Sequence, residues 1–435
     1  MFPLPGSRGT SGRPEARSAA DFGLATRDRT LRVMRAPTAH RRLLGLAVAT
    51  TLIAAACGSD DDSSADTTEA PATTETPATT EAPATTSAPT TAAPTTTEPA
   101  EPEVTPAELA VAGPDEVGVT TRTLPEGGLV EIWYPADDSA AGQTDTYRVS
   151  DFLPPDIAGL ISPDLDDTFT IDAGRDAAAA TDGPYPIVLF SHGAASFRLQ
   201  SSELARHLAS WGIVTASTDH PSRDVFNRLG GTSEGQPPAI DQMRSMREYL
   251  TTLDDDPILG GVLDNDRVAL GGHSAGGGTV AEMAADPGIL GYVSYASGLG
   301  DEAPEVPSLF VAFTLDMIVV PAERTQPAFE RAPSPSWYWL VDGAGHLAPS
   351  DLCAIGGDST LIDLADASGL GPFIEDGLRV LATDGCEEPN LPVQDVWPAV
   401  HQSSTGFYRW VFGIDEEPVG LDESAVTDGV TVTSK

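Results

Sequence analysis

The chain has 435 residues, of which 65 are Asp or Glu and 24 are Lys or Arg, for a formal net charge of −41 at pH 7. Lys occurs once, at Lys435, which argues against nucleic acid as a partner and against binding to anionic membranes through basic patches. Acidic excess with almost no Lys reads as a device for solubility.

The first recognisable segment is an export signal. Arg41 and Arg42 precede an apolar run from Leu43 to Ala56 and then Cys57-Gly58-Ser59. That run is too short to span a bilayer as a mature helix. Small residues before a cysteine, with acidic Ser-rich sequence after it, resemble a bacterial lipobox, although Ala54 stands where that motif usually carries Leu. On this reading residues 1–57 are a signal region and Cys57 is the lipidated residue. The protein is then exported and membrane-anchored through lipid at the extracellular face; simple signal-peptide cleavage and secretion is the alternative. Met34-Arg35 would supply the usual positive start, so translation from Met34 is a second possible beginning.

Residues 58–106 are Thr, Pro, Ala and Glu in loose repeats such as Thr-Glu-Ala-Pro-Ala-Thr-Thr. Such a composition cannot bury a core, and proline with mutually repelling carboxylates makes it a disordered, semi-extended tether. Residues 107–414 have the length of one α/β domain, and 415–435 read as an acidic C-terminal tail. The three cysteines are Cys57, Cys353 and Cys386. If Cys57 takes lipid, Cys353 and Cys386 form a disulfide as the default in an exported protein. Closing that loop should stabilise the fold by roughly 3 kcal/mol on the chain-entropy model.

Within the domain, strands are expected at Val130 to Tyr134, Ile187 to Ser191, Ile213 to Ser217, Val268 to Gly271, Tyr292 to Tyr295, Leu309 to Phe313 and Trp337 to Leu340. Most are continuous apolar runs, which suits strands buried on both faces of a parallel sheet. Helices are expected at Leu199 to Trp211 and Ile240 to Leu253, the latter with Ile240, Met243, Met246, Tyr249 and Leu250 as a core stripe. The fold class is therefore α/β: a doubly wound, mostly parallel sheet flanked by helices, with its crevice at the carboxyl ends of the strands.

Gly272-His273-Ser274-Ala275-Gly276 follows one of these runs and precedes a helix-like stretch. This is the strand-turn-helix setting of a G-x-S-x-G nucleophile elbow, characteristic of the α/β-hydrolase fold. A serine hydroxyl is a poor nucleophile at neutral pH and needs a base plus a group that orients the base. Of seven histidines, His346 lies in Asp342-Gly343-Ala344-Gly345-His346 directly after the last apolar strand, which makes it the candidate base. His40 belongs to the signal, His273 to the elbow and His207 to a helix; His220 and His401 lack the strand-end loop, although His220 could line the crevice. Chain order in this fold places the acid between Ser274 and His346. Asp316, just after the Leu309 to Phe313 run, fits best; Asp301, Glu302, Glu305 and Glu323 read as solvated surface, and Asp342 is too near His346 in sequence. The oxyanion hole is expected from the N–H groups of Ala275 and of Ala194, in the His192-Gly193-Ala194 turn.

Phe190-Ser191-His192-Gly193-Ala194-Ala195-Ser196-Phe197-Arg198, Thr218-Asp219-His220, the elbow and Val130-Glu131-Ile132-Trp133-Tyr134-Pro135 together resemble the secreted platelet-activating-factor acetylhydrolase family. Its bacterial relatives are often grouped with dienelactone-hydrolase-like and cutinase-like polyester hydrolases. The similarity runs over most of residues 107–413. It implies hydrolysis of short or oxidised acyl esters through an acyl-enzyme on Ser274, without metal or other cofactor, by a monomer whose partner is a small-molecule or lipid ester. Small Ala194 and Ala275 depart from bulkier residues in relatives, which leaves substrate size open. A cutinase-like polyester hydrolase, with Phe197, Trp211 or Trp337 in an open cleft, and a non-catalytic lipid-tethered binding protein are the alternatives. The stretch from Asp351 to Gln394 reads as an irregular excursion, a lid or simple packing.

Overall fold

A computed structural model describes residues 104–435 except 167, 356–359, 372, 373, 375 and 427. The signal region, Cys57 and the tether up to residue 103 lie outside the described residues.

The strands are β1 (Glu116–Thr123), β2 (Leu129–Ala136), β3 (Asp145–Arg148), β4 (Thr168–Ile171), β5 (Gly174–Arg175), β6 (Tyr185–Ser191), β7 (Val214–Thr218), β8 (Leu263–His273), β9 (Ile289–Tyr295), β10 (Ser308–Phe313), β11 (Ser336–Val341) and β12 (Val430–Ser434). β3 and β4 pair with each other; the others form one ten-stranded sheet in the order β12-β11-β10-β9-β8-β6-β7-β2-β1-β5. From β7 to β11 the neighbours are parallel, whereas β2 and β12 run antiparallel to the strands they flank. All the apolar runs expected to be strands lie in this sheet, which is the mostly parallel, helix-flanked architecture of an α/β hydrolase.

Alternate strand residues serve opposite faces. Ile187, Leu189 and Leu270 pack with Ile240, Met243 and Met246 of the helix Ala239–Leu250. Val188, Phe190 and Ala269 pack on the other side with Leu204 and Leu208 of the helix Ser202–Ser210 and with Val400 and Phe407 of the helix Val393–Val411. Burial on both sides removes the alternation of a half-exposed strand, which is why these strands read as unbroken apolar runs.

Two elements depart from the sequence reading. The helix Val393–Val411 contains Pro398 and buries the polar run His401 to Thr405, so it shows no clean apolar stripe. Residues 430–434, expected in the acidic tail, instead form edge strand β12, with Val432 buried opposite Trp339. The Val-Thr-Val-Thr alternation there is the period of a strand with one buried face. Since β6 adjoins both β7 and β8, the loops leaving β6 and β8 diverge to either side. A crevice forms at such a switch point.

Candidate active site

The turn after β8 carries Ser274 with φ 55° and ψ −119°, at the mouth of the helix Ala275–Met283. Its N–H donates to Tyr295 O at 2.9 Å, which ties this turn to β9. The glycines around it are dictated by close approach: a Cβ on Gly276 would lie 1.9 Å from Ser191 O, and one on Gly272 would lie 2.4 Å from Gly276 O. The backbone is thereby held in a conformation that L-residues seldom adopt, and the hydroxyl is lifted above the sheet.

His346 follows β11 and is fully buried. Its Nε2 lies 2.9 Å from Ser274 Oγ, and its Nδ1 lies 2.9 Å from Asp316 Oδ2. Asp316, in the loop after β10, accepts the N–H groups of Ile318 at 2.9 Å and Val319 at 2.7 Å on its other oxygen. Three residues from separate strand-end loops thus form one hydrogen-bonded line. Asp342 does not join it, since its carboxylate instead accepts from Thr314 Oγ1.

Gly193 N–H donates to Gln200 Oε1 at 2.8 Å and Ala195 N–H donates to Arg223 O at 2.8 Å. Ala194 N–H lies between them, and like Ala275 N–H at the first turn of its helix it has no acceptor among the described residues. Burial draws His192 down to about 3, and burial pushes His220 and His273 well below the ordinary histidine range, so these rings are neutral at pH 7.

Two supporting residues carried no sequence signal. Gln200 Nε2 is 2.8 Å from His273 Nδ1, and His273 Nε2 is 2.9 Å from His346 O. With its Oε1 on Gly193, Gln200 therefore links the turn after β6 to the His346 loop. Asp384 accepts His346 N–H at 3.3 Å and Met317 N–H at 2.8 Å, bridging the two loops that carry His346 and Asp316. Both residues act on main-chain groups or on a second-tier ring, which no spacing pattern records.

A cavity of about 70 Å³ opens beside Ser274, walled by Phe197, Leu352, Leu361, Leu378, Leu381 and Ala382. Leu352, Leu361, Leu378, Leu381 and Ala382 come from the excursion, whose helices Leu361–Ala367 and Asp376–Thr383 lie between Cys353 and Cys386. These two cysteines form a disulfide. Phe197 lines the cavity, whereas Trp337 is buried in the core and Trp211 donates its indole N–H to Val111 O at 3.0 Å, so both tryptophans serve packing.

A family profile described as platelet-activating factor acetylhydrolase, isoform II, matches residues 120–227. A platelet-activating factor acetylhydrolase of Cavia porcellus is 25% identical over 189 residues, covering 35% of this chain and 42% of the relative. The chain thus aligns with less than half the length of that relative. These matches make the chain similar to platelet-activating factor acetylhydrolases, and the mostly parallel sheet with the strained turn at its centre is the architecture of an α/β hydrolase.

Proposed function

We propose that the protein is a serine carboxylic-ester hydrolase acting through an acyl-enzyme. The observation that carries this reading is the unbroken hydrogen-bonded line from Asp316 through His346 to Ser274. His346 Nε2 takes the hydroxyl proton as Ser274 Oγ attacks the ester carbonyl, and Asp316 stabilises the resulting imidazolium through Nδ1–H. The carbonyl oxygen becomes an oxyanion received by the N–H groups of Ala194 and Ala275. The imidazolium then protonates the departing alcohol, and water repeats the sequence to release the acid.

The substrate class is short or oxidised acyl esters, as in platelet-activating-factor acetylhydrolases. The small apolar cavity beside Ser274 supports an acyl group of modest length. A polyester chain would need a shallow aromatic cleft, and the packing roles of Trp211 and Trp337 weigh against that reading. The enzyme is exported, tethered by lipid on Cys57, and works as a monomer; Cys57→Ala should release it from the membrane fraction.

Turnover of p-nitrophenyl esters from acetyl to decanoyl tests the activity. Activity should peak at the short end and fall at least ~10³-fold in Ser274→Ala. Equal slow rates in both proteins would leave only a binding role.

A further inference from the structure

Arg223 lies in the loop after β7, beside the turn that carries Ala194. Its Nη2 donates to His192 O and to Ser191 Oγ, both at 2.7 Å. Its Nη1 donates to Ala275 O at 3.2 Å and to Thr279 Oγ1 at 2.8 Å. Its own carbonyl accepts Ala195 N–H at 2.8 Å. The peptide bearing Ala194 N–H is therefore bracketed, because the peptides before and after it are both held by Arg223. The opposite arm of the same guanidinium holds the first turn of the helix that presents Ala275 N–H.

We propose that Arg223 is a positioning residue that sets the separation and aim of the Ala194 and Ala275 N–H groups toward a developing oxyanion. The inference rests on the ester-hydrolase reading above. A planar fork with two nitrogens aimed at different chain segments can span both sides of the hole, which a lysine ammonium cannot do with equal precision. Arg223 Nε is buried and has no acceptor among the described residues, so the guanidinium bonds only through the two arms directed at the site. Burial pulls the guanidinium down to about 9, which still leaves it cationic at neutral pH.

The test compares wild type, Arg223→Lys and Arg223→Met. p-Nitrophenyl acetate turnover is normalised to active sites titrated by the p-nitrophenol burst, and affinity for an aryl trifluoromethyl ketone, which captures the serine as a tetrahedral oxyanion, is measured alongside. In Arg223→Met, kcat per titrated site should fall roughly 10- to 100-fold with KM within about twofold, and ketone affinity should weaken by a matching factor. Arg223→Lys, which keeps the charge and most of the volume, should fall between. If both variants lose melting temperature or active-site number but keep kcat per site and ketone affinity, Arg223 is merely structural and the proposal is overturned. A wild-type protein that neither turns over the ester nor binds the ketone would instead overturn the ester-hydrolase reading, and this inference with it.

Discussion

Asp384 grips His346 by its backbone, at 3.3 Å, with one carboxylate oxygen while the other holds Met317 N–H at 2.8 Å. Because Met317 follows Asp316, one buried side chain fixes the Asp316 loop relative to the His346 loop. Burial raises the Asp384 carboxyl above its ordinary range. Asp384→Ala leaves two amides without their acceptor, at about 1–3 kcal/mol each. We expect kcat to fall about tenfold with little change in KM, since the ground-state pocket is intact. Steady-state kinetics on titrated enzyme check this, and an unchanged kcat would refute it.

The Cys353–Cys386 bridge closes the excursion two residues beyond Asp384. Replacing both cysteines by Ser should lower unfolding free energy by roughly 3 kcal/mol, as entropy returns to the unfolded loop. Urea denaturation measures the change; a shift of under about 1 kcal/mol would mean that packing alone holds the segment.

Leu381 stands in the cavity wall beside Ser274. Leu381→Ala should move the acyl preference toward longer chains, because a methylene in an apolar pocket is worth about 1–3 kcal/mol of discrimination. The octanoyl-to-acetyl ratio of kcat/KM should rise on the order of tenfold. A uniform change at every chain length would place Leu381 outside the acyl pocket.

Asp351 is buried beneath the helix Ser202–Ser210, where its carboxylate accepts Ser202 N–H at 2.7 Å and Tyr147 OH at 3.2 Å. Burial pushes its carboxyl up to about 7 from an ordinary value of 3.8. Between these values the folded protein holds a proton that the unfolded chain has released, so this contribution to stability declines as pH rises through the window. Asp351→Asn removes that titration and keeps an acceptor. Wild-type stability relative to the variant should therefore fall by on the order of 3 kcal/mol from pH 4.5 to pH 7.5, measured by chemical denaturation. A constant difference across this range would contradict the assignment.

The centre of the molecule was legible because its chemistry demands particular sequence. Strands buried on both faces must be continuously apolar, and the sharp turn at Ser274 admits only Gly at 272 and 276. Ser274, Asp316 and His346 could be ordered along the chain because each lies in a loop that follows an apolar run. Strands at the margins of the sheet were harder: edge strand β12, and β1 beside the short edge strand β5, mix Val with Thr and carry no unbroken run. The helix Val393–Val411 hides behind Pro398 and its buried polar middle. Gln200, Arg223 and Asp384 were invisible for a different reason. Their partners are main-chain atoms, two hydroxyls and a neighbouring ring that only the finished fold brings within reach.

The central claim is that Ser274 becomes covalently acylated. Mass spectrometry of enzyme quenched during p-nitrophenyl acetate turnover tests it most directly. The account predicts a single acetyl group on the peptide containing Ser274, accumulating at the rate of the p-nitrophenol burst and absent in Ser274→Ala. An unmodified Ser274 peptide during full turnover, or an equal acetyl adduct on another residue in Ser274→Ala, would contradict it.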